Sequence, residues 1–406
     1  MEKVKLNRHF ISDIFFYQEG PGVRKWQFKD SGVKLINVGN INNGKIDLSS
    51  TKINISEEEA YGKYSHFLID EGDLLIACSG IVVENFHNKI AFIKKEHLPL
   101  CLNTSTMRFK ELPEKKGDLN FLKYFLQTND FKSQLRKLIT GSAQLNFGPS
   151  HIRKIEIPLP NLATQQRIAA ILDQADAIIQ NNRAIVQKYD ALTQSLFLDM
   201  FGDPVKNEKG WKVKSLGDIT NLITDGKHGN CNDEKDSGYY FISAKDVKNN
   251  LINYTDAREI PKIEFEEVDK RTNLQPGDLV MINTGATIGR MAIAKDIPET
   301  RKTTFQKSVA VIKVKNDIIS SFYLQYVLEL GIITFANMGS GSAIKNLLLS
   351  EMRRFKIILP NLELQNQFAE RVSVIEAQKQ QAQLELAKSE ELFASLLQRA
   401  FKGELS

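Results

Sequence analysis

Short apolar runs bounded by glycine and asparagine fill the first 155 or so positions of this chain. Leu35-Ile36-Asn37-Val38 runs up to the turn signal Asn42-Asn43-Gly44, and Leu74-Leu75-Ile76-Ala77, Ile90-Ala91-Phe92-Ile93 and Ser105-Thr106-Met107-Arg108-Phe109 follow. Runs of this length between such residues predict strands of a twisted sheet with irregular loops. The period then changes. Phe121, Tyr124, Phe125, Phe131 and Leu135 recur at helical spacing and predict a helix over about 119–138. Pro158 and Pro160 enforce an extended segment. Beyond it Ile168, Ile171, Leu172, Ala175, Ile179, Val186, Tyr189, Leu192, Leu196 and Met200 keep gaps of three and four. An apolar stripe sustained this long over 164–199 is a coiled-coil seam, roughly 50 Å in length. Gly202-Asp203-Pro204 stops it.

The plan then repeats. Strand-like runs at 239–243, 279–283, 291–294 and 309–314 precede a helix at about 319–330 and a second long helix at about 364–401. The stripe of that helix is Phe368, Val372, Ile375, Ala382, Leu386, Phe393, Leu396 and Ala400, with a polar middle at 378–383. The copying is literal in places. Gly141-Ser142-Ala143-Gln144-Leu145-Asn146 returns as Gly341-Ser342-Ala343-Ile344-Lys345-Asn346, and Gly72-Asp73-Leu74-Leu75-Ile76 as Gly277-Asp278-Leu279-Val280-Met281. A repeat this long is a duplicated domain with a duplicated helix, not a solenoid. Between the matching islands the halves differ, as two modules reading different ligands would, or as drift after duplication would leave them. The two helices bury their stripes most simply against each other; separate oligomerisation helices are the alternative.

Composition narrows the class. The 406 residues carry 54 Lys and Arg against 49 Asp and Glu, a net charge of +5 that permits nucleic-acid binding without demonstrating it. Three cysteines, none in a Cys-x-x-Cys pair, argue for a reducing compartment and against a disulfide framework or zinc site. The start of the chain lacks the apolar core of a signal peptide, and no stretch approaches the ~18 apolar residues of a membrane span. A cytoplasmic protein without membrane partners is the expectation.

Catalytic motifs are missing across types. The sequence holds no Gly-x-x-x-x-Gly-Lys, no His-Glu-x-x-His, no Gly-x-Ser-x-Gly and no Asn-Pro-Pro methyltransferase loop. What it holds suits a polyanion. Ser142, Gln144 and Asn146 lie in a small polar stretch before His151, Arg153 and Lys154; Ser342, Lys345 and Asn346 lie in its twin before Arg353, Arg354 and Lys356. Small residues allow close backbone approach, hydroxyls and amides bond phosphate oxygens, and the cations add attraction. Thr284, Thr287 and Arg290 share that character in Thr284-Gly285-Ala286-Thr287-Ile288-Gly289-Arg290, although ordinary turns look alike. Arg24 and Lys25 after Gly20-Pro21-Gly22-Val23, and Lys227 and His228 after Asp225-Gly226, are candidates to reach base edges.

Together these residues resemble the specificity subunit of type I restriction-modification systems. The family's Leu-Pro-x-Leu-x-x-Gln segment before each long helix is matched by Leu159-Pro160-Asn161-Leu162-Ala163-Thr164-Gln165 and Leu359-Pro360-Asn361-Leu362-Glu363-Leu364-Gln365. Gly-Asp-Leu-Leu is matched at Gly72 and Gly277, Thr-Gly-Ala-Thr-Ile-Gly at Thr284, the Trp-initiated domain opening at 211–219, and Asp-Gly-x-His at Asp225. The first half departs, with no such opening, no Asp-Gly-x-His, and Ser79-Gly80-Ile81-Val82-Val83 where the Thr-Gly-Ala stretch belongs.

The resemblance implies an α+β architecture. Two β-rich target-recognition domains with small helices (1–160 and 204–360) are each followed by a long helix (161–203 and 361–406), and the helices pair as an antiparallel coiled coil. It implies a non-catalytic chain that reads a bipartite asymmetric target in double-stranded DNA. Methyltransferase subunits, two of them, would dock on the chain, and restriction subunits would complete the complex. No cofactor belongs to the chain itself; S-adenosylmethionine, ATP and Mg are expected in the partners. The rival readings are a coiled-coil protein scaffold that reads no DNA and a restriction-modification enzyme in its own right.

Overall fold

The computed structural model describes residues 6–49, 51–114, 116–139, 146–337 and 346–405. Packing divides them into two compact units: 1–183 with 384–406, and 184–383. Each unit therefore holds one sheet-bearing domain, the start of the helix that follows it, and the end of the other long helix.

In the first unit the antiparallel strands Phe15–Glu19, Thr106–Glu111, Leu74–Ala77 and Ile90–Phe92 lie side by side in that order. The second unit repeats the order with Thr220–Asp225, Val309–Val314, Leu279–Ile282 and Met291–Ile293. Leu74–Ala77 and Leu279–Ile282 read as unbroken apolar runs because both of their faces are covered. Leu74 and Ile76 enter one core with the helices, while Leu75 joins Ala91, Ile93 and Leu100 in another. Leu279 and Met281 are likewise separated from Val280 and Ile282. A two-stranded clamp closes each domain, Asn7–Phe10 on Glu156–Leu159 and Lys212–Ser215 on Lys356–Leu359.

The Gly-Asp-Leu motif is a fastening. The Asp73 carboxylate accepts from the Asp70 amide at 3.1 Å and faces Arg108 at 3.3 Å; Asp278 accepts from the Gln275 amide at 2.8 Å and pairs with Lys313. The Leu-Pro-Asn-Leu-x-x-Gln motif is a second one. Asn161 and Asn361 cap the long helices, each accepting an amide three residues on at 2.9 Å. Gln165 is fully buried; its amide donates to the Lys116 and Pro160 carbonyls (3.0 and 2.8 Å) and accepts from Asp118 N at 2.9 Å. Gln365 does the same with Ile318, Pro360 and Ser320. One glutamine thus locks each domain to its helix.

The long helices span Leu162–Phe201 and Leu362–Phe401, 40 residues each. They run antiparallel against each other in both units. In the first unit Asn182 donates to Ser389 at 2.9 Å and Arg183 pairs with Glu390 at 2.7 Å, while Phe401 packs on Phe121 and Phe125. In the second unit Lys379 pairs with Asp190 at 2.5 Å, and Phe197 and Phe201 pack on Tyr323 and Phe368.

Three details differ from the periodicity. The helix expected at 119–138 is two, Leu119–Phe125 and Asn129–Leu138. Thr128 separates them, its hydroxyl donating to Phe125 O at 2.7 Å and accepting from Phe131 N at 3.2 Å. The strand expected at 35–38 ends early as Val33–Leu35, because Asn37 caps a tight turn by accepting from Gly39 N at 2.8 Å. Leu192 lies outside the seam, 49 % exposed, because the buried line passes through Thr193 and Phe197.

Candidate nucleic-acid interface

An antiparallel sheet gathers alternate strand ends at one edge. In the second unit that edge collects the end of Thr220–Asp225, the start of Val309–Val314, the end of Leu279–Ile282 and the start of Met291–Ile293. The loops leaving those ends are the ones that carry candidate residues. Gly226 N donates to Val309 O (3.3 Å), Lys227 N to Phe305 O (2.7 Å) and Lys307 N to Lys227 O (3.1 Å), tying the Asp-Gly-x-His turn to 305–308. Only glycine fits there, since a Cβ on Gly226 would sit 1.8 Å from Phe305 O. Asn283 N donates to Ser308 O at 3.0 Å, and the Thr284 hydroxyl donates to Asn346 Oδ1 at 2.8 Å. Lys227, His228, Thr284, Thr287, Arg290 and Asn346 thus share one edge.

Their availability differs. Arg290 is exposed and makes no ion pair among the described residues. His228 is exposed, 3.3 Å from Asp225. Lys227 is held between Glu264 (3.4 Å) and Glu267 (3.3 Å), so its charge is shared before any ligand arrives. The Cys231 thiol and the Asn232 amide both donate to Glu264 and hold its carboxyl below the usual range. Arg353 lies further back, where its guanidinium donates to the Ile223 carbonyl at 2.6 Å and ties a helical turn to the sheet. Gln306, Lys307 and Ser308 join the edge without having been singled out in the sequence. Lys307 is exposed and without an ion pair among the described residues.

The first unit builds the same edge. Gly20 N donates to Thr106 O at 3.1 Å, and a Cβ on Gly20 would meet Asn103 N at 2.4 Å. Glu19-Gly20-Pro21-Gly22 therefore stands where the other unit has Asp225-Gly226-Lys227-His228. Asn146 accepts from the Ser79 hydroxyl and the Gly80 amide, both at 2.9 Å, as Asn346 accepts from Thr284. Arg24 and Lys25 are exposed on the turn that leaves this edge. Ser142, Gln144, Ser342 and Lys345 lie outside the described residues.

This doubled edge on a doubled scaffold coincides with a family match. The profile of the type I restriction modification DNA specificity domain matches residues 4–188 and again 208–386. The chain belongs to that family. It is 22% identical over 404 residues to the type I restriction enzyme EcoKI specificity subunit of Escherichia coli K12, covering 93% of this chain and 83% of that one. It is 28% identical over 173 residues to the MjaVIII specificity subunit of Methanocaldococcus jannaschii, a match spanning 43% of this chain and 40% of the relative. A solved structure described as the basis of complex assembly and conformational transition of the type I R-M system shares the fold (TM-score 0.60, 17% identity, covering 99% of this chain and 100% of that chain). Specificity subunits are the non-catalytic members of such enzymes, which agrees with the motifs missing here.

Within the specificity-domain frame the family motifs divide by role. The glutamine and Gly-Asp motifs hold the scaffold, as does Trp211, whose indole donates to Phe201 O at 2.8 Å. The Asp-Gly-x-His and Thr-Gly-Ala turns lie at the edge where a ligand has access. The three cysteines are buried, and burial pushes the Cys78 and Cys101 thiols up to about 12, so both stay protonated at neutral pH. No helix among the described residues is long and apolar enough to cross a membrane.

Proposed function

We propose that this chain is the DNA-reading subunit of a type I restriction-modification complex, with each unit gripping one half of a bipartite, asymmetric duplex target. Phosphates are held by the small polar loops and free cations of the sheet edge, and base edges are read by the loops that differ between units. Two methyltransferase subunits dock on the chain and restriction subunits complete the assembly. S-adenosylmethionine, ATP and Mg act in those partners. The observation that carries this reading is the recurrence of one edge, with glycine, asparagine and hydroxyl contacts in the same places, under side chains of different chemistry.

The test is to sequence the methylated bases of a host carrying the methyltransferase partner with and without this chain. The reading expects a two-part motif that appears only when the chain is present. A motif that persists without the chain, or no methylation in either host, contradicts it.

A further inference from the structure

Trp26 is the most exposed large apolar side chain among the described residues, at 78 %. Single exposed apolar residues are common on protein surfaces and need no ligand to explain them. The mounting of this one is different. It sits on a short turn, Lys25–Gln27, whose Gln27 is only 3 % exposed. The Gln27 amide donates to Glu59 at 2.7 Å and to the Tyr64 hydroxyl at 3.0 Å, and its oxygen accepts from Arg24 N at 3.0 Å. The turn is bolted from beneath by a buried polar network while Arg24, Lys25 and Trp26 all point to solvent. Fixing a large ring in water gains nothing for folding, whereas a rigid aromatic with few torsions binds at low entropic cost. The two flanking cations favour a polyanion over an apolar protein groove as the occupant. The second unit has no matching tryptophan, since residues 229–236 contain no Phe, Tyr or Trp.

We infer that Trp26 is a specificity-determining DNA contact of the first unit, its ring packed against a base edge in a groove of that unit's half-site while Arg24 and Lys25 hold the adjoining phosphates. This rests on the DNA-reading function proposed above. It assigns to the first unit an anchor of a different kind from the cationic edge of the second.

The chain contains two tryptophans, Trp26 and Trp211. Labelled with 5-fluorotryptophan and assembled with unlabelled methyltransferase subunits, it gives two fluorine resonances, which Trp26→Phe assigns. The probe is a duplex carrying the motif methylated in the host, with a scrambled duplex as control. The Trp26 resonance should move on the matched duplex while that of Trp211 stays. Trp26→Ala should weaken matched binding roughly 5- to 150-fold, with Trp26→Phe closer to wild type, as for loss of one good contact to a base edge. Unchanged affinity, or a weakening without movement of the Trp26 resonance, overturns the assignment and leaves DNA reading intact. A wild-type complex that does not distinguish matched from scrambled duplex overturns both.

Discussion

Lys89 and Arg290 each stand immediately before the fourth strand of their sheets, and they do opposite things. The Lys89 ammonium lies 3.1 Å from Val38 O, 2.8 Å from Ile41 O and 2.7 Å from Asn42 Oδ1, pinning a hairpin to the sheet. Arg290 reaches solvent beside the Lys248-Asn249-Asn250 turn of the matching hairpin. The same contrast runs along both edges. Pro21 and Thr104 occupy in the first unit the positions that Lys227 and Lys307 hold in the second, and the first unit carries exposed cations instead at Arg24 and Lys25. Duplication kept the fastenings and left the faces free to diverge. A side chain buried in a hydrogen-bonded network is constrained by every partner it has, whereas an edge residue answers only to its ligand.

If that division is right, fastening substitutions should act alike in the two units and edge substitutions should not. The largest effects belong to the glutamines. Gln165→Ala and Gln365→Ala each leave buried backbone groups without partners and should cost about 2–4 kcal/mol. Calorimetry should show each variant lowering one transition by a similar amount; a large loss for one and none for the other breaks the equivalence.

Next come the paired cations. Arg290→Ala should weaken DNA binding of the assembled complex and leave thermal stability unchanged, while Lys89→Ala should lower stability by about 1–2 kcal/mol. Lys307→Ala should weaken binding on all sequences alike and flatten its salt dependence by about one charge. Filter binding at several salt concentrations reads both, and a base-selective effect of Lys307→Ala would make it a reader instead of a phosphate contact.

The smallest effect concerns Glu19, the first unit's counterpart of Asp225. Burial raises the Glu19 carboxyl above its ordinary range. The folded state therefore holds that proton more tightly than the unfolded state, so its contribution to stability falls as pH rises from about 4 through the folded pKa. Glu19→Gln removes that loss. Melting curves should coincide near pH 4 and separate towards pH 7, with the variant higher by no more than about 2 °C. Equal separation at both pH values contradicts the sign.

Much of the scaffold was legible along the chain because it rests on local periodicity. Leu74–Ala77 and Val309–Val314 lie where the apolar runs place them, and both long helices follow their stripes to within a few residues. The break at Thr128 was not legible, since a threonine hydroxyl takes either a helical or a capping geometry according to its surroundings. The edges were read in part. Turn chemistry points to Gly20, Asp225–His228 and Thr284–Arg290, but Asn103–Ser105 and Gln306–Ser308 reach the edge only through pairing with residues some 80 positions away. Nor does spacing reveal that Lys227 is claimed by Glu264 and Glu267, or Arg353 by a backbone carbonyl.

The central claim is that the two units read independently. Exchanging residues 204–360 for the corresponding domain of a relative with a different target, and then sequencing the methylated bases of the host, tests it directly. One half of the motif should change to that of the donor while the other half stays as it was. A change in both halves, or in the half read by 1–160 alone, would contradict the account.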